Sequence, residues 1–182
     1  MTRLYTWFVK RRFAEFGKYS VIHFMPRHLC GEKYIHIGKN TDIHECVTLT
    51  AWDNVNGVRM SPEIIIGNNC NIGAYSHITA CNKIVIGDNL LTGLNVTITD
   101  NQHGAFTEEQ LDIPPIKRPL LSKGPVIIGN NVWIGSNACI MPHVKIGNDV
   151  IVGANSVVTK EVPDNCMVAG CPAKVIKEIN RR

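Results

Sequence analysis

The sequence predicts an all-β solenoid, a parallel β-helix of hexapeptide repeats. Three observations carry this: aliphatic residues six apart, glycine directly after most of them, and recurrent asparagine pairs. From position 128 the aliphatics fall at Ile128, Ile134, Ile140, Ile146, Val152 and Val158. Gly129, Gly135, Gly147 and Gly153 follow four of them, and four residues after each stands a small or β-branched residue (Val132, Ala138, Val144, Val150, Ser156, Val162). A helical period of 3.6 does not generate a strict repeat of six, and a strand period of two does not place glycine so regularly. Hexapeptide periodicity marks a β-helix in which three short strands make one triangular coil, each coil using about 18 residues and rising by ~4.8 Å.

The same phase runs through Ile66, Ile72 and Ile78, shifts by two, and resumes at Ile86; fainter copies begin at Ile37 and Ile43. Glycine or asparagine after the aliphatic is expected to turn each corner, where positive φ is often needed. Asn68-Asn69, Asp88-Asn89, Asn130-Asn131 and Asn148-Asp149 supply that chemistry.

Three segments leave the period. Residues 1–18 read as a helix with Tyr5, Val9 and Phe13 on one face and Lys10, Arg11 and Arg12 on the other. Such a helix packs on the solenoid or meets an anionic lipid surface. Residues 100–125 form a polar, proline-containing excursion, and long aperiodic insertions tend to be functional. The stretch from Pro163 to Arg182 is expected to end in a short capping helix. The expected organisation is an N-terminal helical or extended segment (1–30), the β-helix (31–165) with its protruding loop (100–125), and a cap (166–182).

Composition bounds the function. With 182 residues, 45% apolar and 19% charged, the chain has enough apolar content for one packed domain. It contains no apolar run of the ~20 residues that a spanning helix needs and no secretory-signal pattern at its N-terminus. Seven cysteines without a CxxC pair point to free thiols in a reducing cytoplasm rather than to disulfides or zinc; Cys70 and Cys139 sit where small core residues are expected. The net charge of +4 suits an anionic ligand better than a nucleic-acid surface. There is no GxxxxGK[ST] or GxGxxG motif.

The segments IGDNLLTGLNVTITDNQH and PVIIGNNVWIGSNACIMPHVKIGNDVIVGANSVVTKEVPDNCMVAGCPAKVIKEI resemble the hexapeptide-repeat acyltransferases. The resemblance covers roughly residues 60–180. It is strongest to galactoside, maltose and nodulation-factor O-acetyltransferases and to enzymes that decorate surface polysaccharides. It implies a left-handed coil, an exception to the usual crossover rule, and a homotrimer with active sites between subunits. It also implies acetyl-CoA as co-substrate, with no metal. In that family the excursion carries a catalytic histidine, and His103 stands in its place. A neutral imidazole takes the proton of a sugar hydroxyl as it attacks the thioester, help worth ~10²–10⁴ in rate; Asp100 is one candidate to orient the ring.

By the same resemblance Gly93, Trp133, Ser136, Ala154, Thr159, Lys160, Lys174 and Lys177 match coenzyme A contacts. The lysines would meet the nucleotide phosphates less tightly than arginines, and a main-chain amide near Ser136 would hold the oxyanion. On the acceptor side the chain departs, with Gly73 and Cys81 where the galactoside enzyme has asparagine and aspartate. Tyr75, His77 and Asn82 are the nearest replacements, and the Trp52-Asp53-Asn54 loop is a candidate wall of the acceptor cleft. His143 is expected on a solenoid face or near that wall. The leading expectation is O-acetylation of a saccharide. The alternatives are N-acetylation of an amino sugar or xenobiotic, and a noncatalytic or metal-binding solenoid that uses His77 and His103.

Overall fold

The aliphatic columns of the sequence become the inner faces of three parallel sheets. In a computed structural model that describes residues 2–179, the chain lays one short strand in each sheet in turn and returns one strand higher. The first sheet runs from Glu15–Phe16 through Ile35–Ile37, Glu63–Ile66, Lys83–Ile86 and Val126–Ile128 to Lys145–Ile146. The second begins with Val21–Ile22 and includes Asn71–Ile72, Leu91–Thr92, Trp133–Ile134 and Ile151–Val152. The third holds His28–Cys30, Thr48–Ala51, His77–Ala80, Thr97–Thr99, Cys139–Ile140 and Val157–Val158.

Register locks like residues above like. In the first sheet Phe16, Ile37, Ile66, Ile86, Ile128 and Ile146 stack in one column. In the third, Leu29, Leu49, Ile78, Ile98, Ile140 and Val158 do the same. These columns fill the prism with aliphatics that are 0–1% exposed from Ile35 to Val158. A one-residue slip would turn each of them outward, so the pattern fixes the register.

The corner between the first and second sheets divides the labour expected of glycine and asparagine. Positive φ falls on Asn40, Asn69, Asn89, Asn131 and Asp149, not on the glycines before them. Glycine is required there for close approach: a Cβ on Gly67 would stand 2.5 Å from the Gly87 oxygen, and one on Gly129 2.7 Å from Gly147. The first residue of each Asn pair reaches back one coil and accepts a backbone N–H bond, from Asn68 to Asp88 (2.7 Å), Asp88 to Asn130 (2.8 Å) and Asn130 to Asn148 (2.8 Å). The second residue joins an amide ladder, Asn40 to Asn69, Asn89, Asn131 and Asp149 at 2.8–3.2 Å.

Both ends depart from expectation. The N-terminal helix, α1, spans Thr2–Val9 and continues as a 3₁₀ turn over Lys10–Arg12, so it stops well short of residue 18. The first coil opens at Glu15 instead of residue 31, because Glu15–Phe16 pairs with His36–Ile37 despite lacking a clear hexapeptide. At the other end the capping helix is replaced by a strand. Ala173–Glu178 turns back antiparallel onto Cys166–Gly170. Gly170, at φ 103°, and Pro172 reverse the chain, and the open edge of the second sheet offers it backbone partners that an isolated helical turn lacks. Residues 180–182 lie outside the described residues.

Candidate active site

The corner between the third and first sheets is where the period breaks. The chain takes eight residues instead of six from Ile78 to Ile86, and long insertions leave the same edge after Ala51 and Thr99. The first insertion is a hairpin of Asn54–Val55 with Val58–Arg59. The second is a two-stranded arm, Asn101–His103 against Leu120–Ser122, which pairs His103 with Leu120. Asn56 Nδ2 ties the insertions together by donating to the carbonyls of Ile116 (3.0 Å) and Arg118 (3.2 Å).

Asp100 fixes the root of the arm. It is fully buried, and its carboxylate accepts the N–H groups of Cys81 (2.9 Å) and Asn82 (2.8 Å) and the Nδ2 of Asn101 (2.9 Å). The two-residue phase shift at Cys81-Asn82 is therefore the loop that Asp100 clamps. Asp100 makes no hydrogen bond to His103, so it positions the arm and not the ring. Burial, and then the Asp100 carboxylate, push the Cys81 thiol up to about 12.

Between insertions and sheet lies a cavity of about 850 Å³. Its floor is the outer face of the lower third sheet, with Thr48, Thr50, His77, Thr79, Thr97 and Thr99; its rim carries Arg27, His28, Trp52, Tyr75, Asn95 and Gln102. His103 closes one side, exposed and with its imidazole free of hydrogen bonds to the described residues. His77 is held below its ordinary pKa, by burial first and then by Arg27 and His28. It therefore stands as a neutral ring at pH 7. The lining is rich in hydroxyl and amide groups and contains no carboxylate, so it suits a polar ligand that is neutral or anionic.

The Trp52-Asp53-Asn54 loop reaches this cavity through Trp52. It is held by Asp53, which accepts from Tyr34 Oη (2.8 Å) and Lys33 Nζ (3.2 Å); these two partners, Tyr34 first, keep the Asp53 carboxyl below its ordinary pKa. Of the acceptor candidates, Tyr75 and His77 line the cavity, while Asn82 sits at the arm's root and donates to Ser122 Oγ (3.3 Å). Gly73 closes the backbone onto Gly93. His143 lies against Gly124 at the far end of the excursion and is not part of the cavity wall. Arg27, His28 and the threonine ladder carried no motif; outward alternation on the third-sheet strands is the signal that marks them.

The coenzyme A candidates fall outside that cavity, in three places: the corner between the second and third sheets, the end of the last third-sheet strand, and the outer second sheet with its terminal strand. Gly93, Ser136 and Ala154 follow the corner between second and third sheets. A Cβ on Gly93 would stand 2.4 Å from Ser136 Oγ, and that hydroxyl accepts the Leu94 N–H at 3.1 Å. Thr159 and Lys160 follow the last strand on the opposite side and are exposed. Trp133 lies half exposed on the outer second sheet between Leu91 and Ile151. Lys174 and Lys177 stand exposed on the terminal strand. The third sheet thus joins the His103 cavity below to the first two of these places above. Among the described residues no group of three or more His, Cys, Asp or Glu is placed to hold a metal, and no helix is long and apolar enough to cross a membrane.

Comparison with known proteins follows this division of the molecule. Residues 125–160 match the family "Bacterial transferase hexapeptide (six repeats)", and residues 63–100 match "Hexapeptide repeat of succinyl-transferase". The chain is 41% identical over 121 residues to the putative lipopolysaccharide biosynthesis O-acetyl transferase WbbJ of Escherichia coli, covering 64% of this chain and 61% of that protein. It is 34% identical over 154 residues to the galactoside O-acetyltransferase of Escherichia coli, covering 85% of this chain and 68% of that protein. The fold is shared with AntD, an N-acyltransferase from Bacillus cereus solved with dTDP and 3-hydroxybutyryl-CoA. There the TM-score is 0.77 at 23% identity, over 97% of this chain and 89% of that one.

Proposed function

The chain belongs to the bacterial hexapeptide-repeat transferase family, and on that premise we propose that it moves an acetyl group from acetyl-CoA to a hydroxyl of a saccharide. The observation that carries the proposal is His103, a free imidazole on the two-stranded arm facing a hydroxyl- and amide-lined cavity. A sugar hydroxyl seated on the threonine floor gives its proton to His103 as its oxygen attacks the thioester carbonyl. The tetrahedral oxyanion is held by a main-chain amide near Ser136. Collapse expels the coenzyme A thiolate, which takes the proton from the imidazolium. General-base help of this kind contributes ~10²–10⁴ in rate.

In this reading the thioester arm runs along the corner between the second and third sheets past Gly93, Ser136 and Ala154, with Trp133 beside it on the outer second sheet. Thr159, Lys160, Lys174 and Lys177 meet the anionic nucleotide end. The coil is left-handed and the enzyme is a homotrimer, with the second wall of each cleft supplied by a neighbouring subunit. It works in the cytoplasm on a precursor of a surface polysaccharide, as the name of its lipopolysaccharide-biosynthesis relative suggests. An amine is the second acceptor class, since the same fold serves an N-acyltransferase. The cavity favours the hydroxyl: an amine is an ammonium at neutral pH, and the lining offers Arg27 and no carboxylate to receive it.

Thiol release from acetyl-CoA, measured against hydroxyl sugars, amino sugars and sugar nucleotides, tests the assignment. Release that needs a hydroxyl acceptor and disappears with His103→Ala is the expected result. Faster turnover of amino sugars than of their hydroxyl counterparts would move the assignment to the amine.

A further inference from the structure

Charge is not spread evenly along this chain. Residues 1–27 hold six of its 19 Lys and Arg (Arg3, Lys10, Arg11, Arg12, Lys18, Arg27) and one of its 15 acids, Glu15. That segment alone exceeds the net +4 of the whole, leaving the rest of the chain slightly negative. It is also the lowest end of the solenoid. There α1 closes the first coil with its inner side, where Thr6 Oγ1 donates to the Ile22 carbonyl (2.9 Å) and accepts the Ile22 N–H (3.1 Å), beside buried Val9 and Phe13.

The outer side of α1 is apolar as well, which packing of the helix does not explain. Leu4, Trp7 and Phe8 are 63%, 47% and 62% exposed, and Met25 beside the helix end of the coil is 65% exposed. Two stripes run along this face with helical spacing: Leu4, Phe8 and Arg11, and Arg3, Trp7 and Lys10. Each mixes large apolar side chains with cations. The Arg11 guanidinium lies 4.8 Å from the Trp7 ring. The second stripe borders a cleft of about 510 Å³ that Lys18 and Tyr19 also line. A soluble end-cap places polar groups outward. Aromatic side chains interleaved with lysine and arginine suit a surface that is apolar just below and anionic on top.

We propose that this end of the solenoid docks on an anionic lipid bilayer. Leu4, Trp7, Phe8 and Met25 would enter the headgroup–acyl boundary, and the cleft between Arg3, Lys10 and Lys18 would take a lipid phosphate. The choice of occupant rests on charge complementarity: Arg12 is taken up by Glu32 (2.7 Å), but Arg3, Lys10, Arg11 and Lys18 have no ion-pair partner among the described residues, and such a group selects a negative surface. The proposal does not depend on the acetyl-transfer chemistry, because no residue of the patch belongs to the His103 cavity except Arg27, which it does not use.

The test is co-sedimentation of the full chain with vesicles of phosphatidylcholine alone or mixed with phosphatidylglycerol. Binding only to the mixed vesicles, weakened by added salt as screening requires, is expected. Lys10→Glu with Arg11→Glu should lower partitioning by at least ~tenfold, since each basic residue contributes about 1 kcal/mol at such a surface. Trp7→Ala with Phe8→Ala should lower it by a similar factor while circular dichroism stays that of the wild type. No sedimentation, or sedimentation that both variants leave unchanged, would overturn the proposal. So would a change of oligomeric size in Trp7→Ala with Phe8→Ala, because the patch would then be a contact between subunits. His103→Ala binding vesicles like the wild type would keep this question separate from the chemistry.

Discussion

Two corners of the same prism are built in opposite ways. Where the first sheet meets the second, each coil repeats the one below: glycine for close approach, a side-chain oxygen on the N–H beneath, and an asparagine at positive φ. Where the third meets the first, no two successive lower coils agree, and insertions of different length leave from one edge. The difference shows how a solenoid acquires a site. One corner bears the stacking, and that frees the other to carry an arm, a hairpin and a cavity.

Removing His103 breaks the comparison at its functional side. His103→Ala should lower turnover by ~10²–10⁴, with the thermal midpoint unchanged, because the side chain is exposed and its imidazole makes no hydrogen bond to the described residues. A fall in midpoint parallel to the loss of activity would show that the imidazole holds the arm and is not its payload.

The next largest effect lies at the root of the arm. Asp100→Ala leaves the buried N–H of Cys81 and the part-buried N–H of Asn82 without their acceptor. A buried unsatisfied donor costs ~1–3 kcal/mol, so denaturant titration should show a loss of at least ~1 kcal/mol, accompanied by reduced activity. Glycines then separate the corners directly. Gly129→Ala forces a Cβ against Gly147 backbone and should cost ~1–3 kcal/mol. Gly57→Ala, in the hairpin, meets nothing within 4 Å and bears only the strain of φ +82°, ~1 kcal/mol. Equal losses in the two would mean that close packing is not what selects glycine in the stacked corner.

The stacked corner was legible in the sequence because it repeats: Ile128, Ile134 and Ile140 with Asn130-Asn131 announce both the strands and the turn between them. What the repeat did not announce was the reason for glycine, since close approach and positive φ leave the same letter. The arm was visible as an interruption, and His103 only through family likeness. Arg27, His28 and the threonine ladder were hidden because they gather across coils whose spacing varies. The ends misled for the same reason. Glu15–Phe16 and Ala173–Glu178 are strands by pairing with a neighbour's exposed edge, which overrides a local pattern that reads otherwise.

A pH dependence is centred on the interrupted corner. The Cys81 thiol, 5% exposed and facing Asp100, titrates near 12 in the fold, while an exposed thiol loses its proton near 8.5–9. Between those values the folded state holds one more proton than the unfolded state, so stability falls as pH rises. The stabilisation is fully present below about 8.5 and is lost progressively towards about 12. Cys70 and Cys30 are raised as well, chiefly by burial, and add the same sign. The contribution of Cys81 is therefore read as a difference: denaturation of wild type and Cys81→Ala at pH 7, 9 and 10.5 should give curves that converge as pH increases. Parallel curves would place water at the thiol and would mean that the Asp100 clamp at the root of the His103 arm is open in solution.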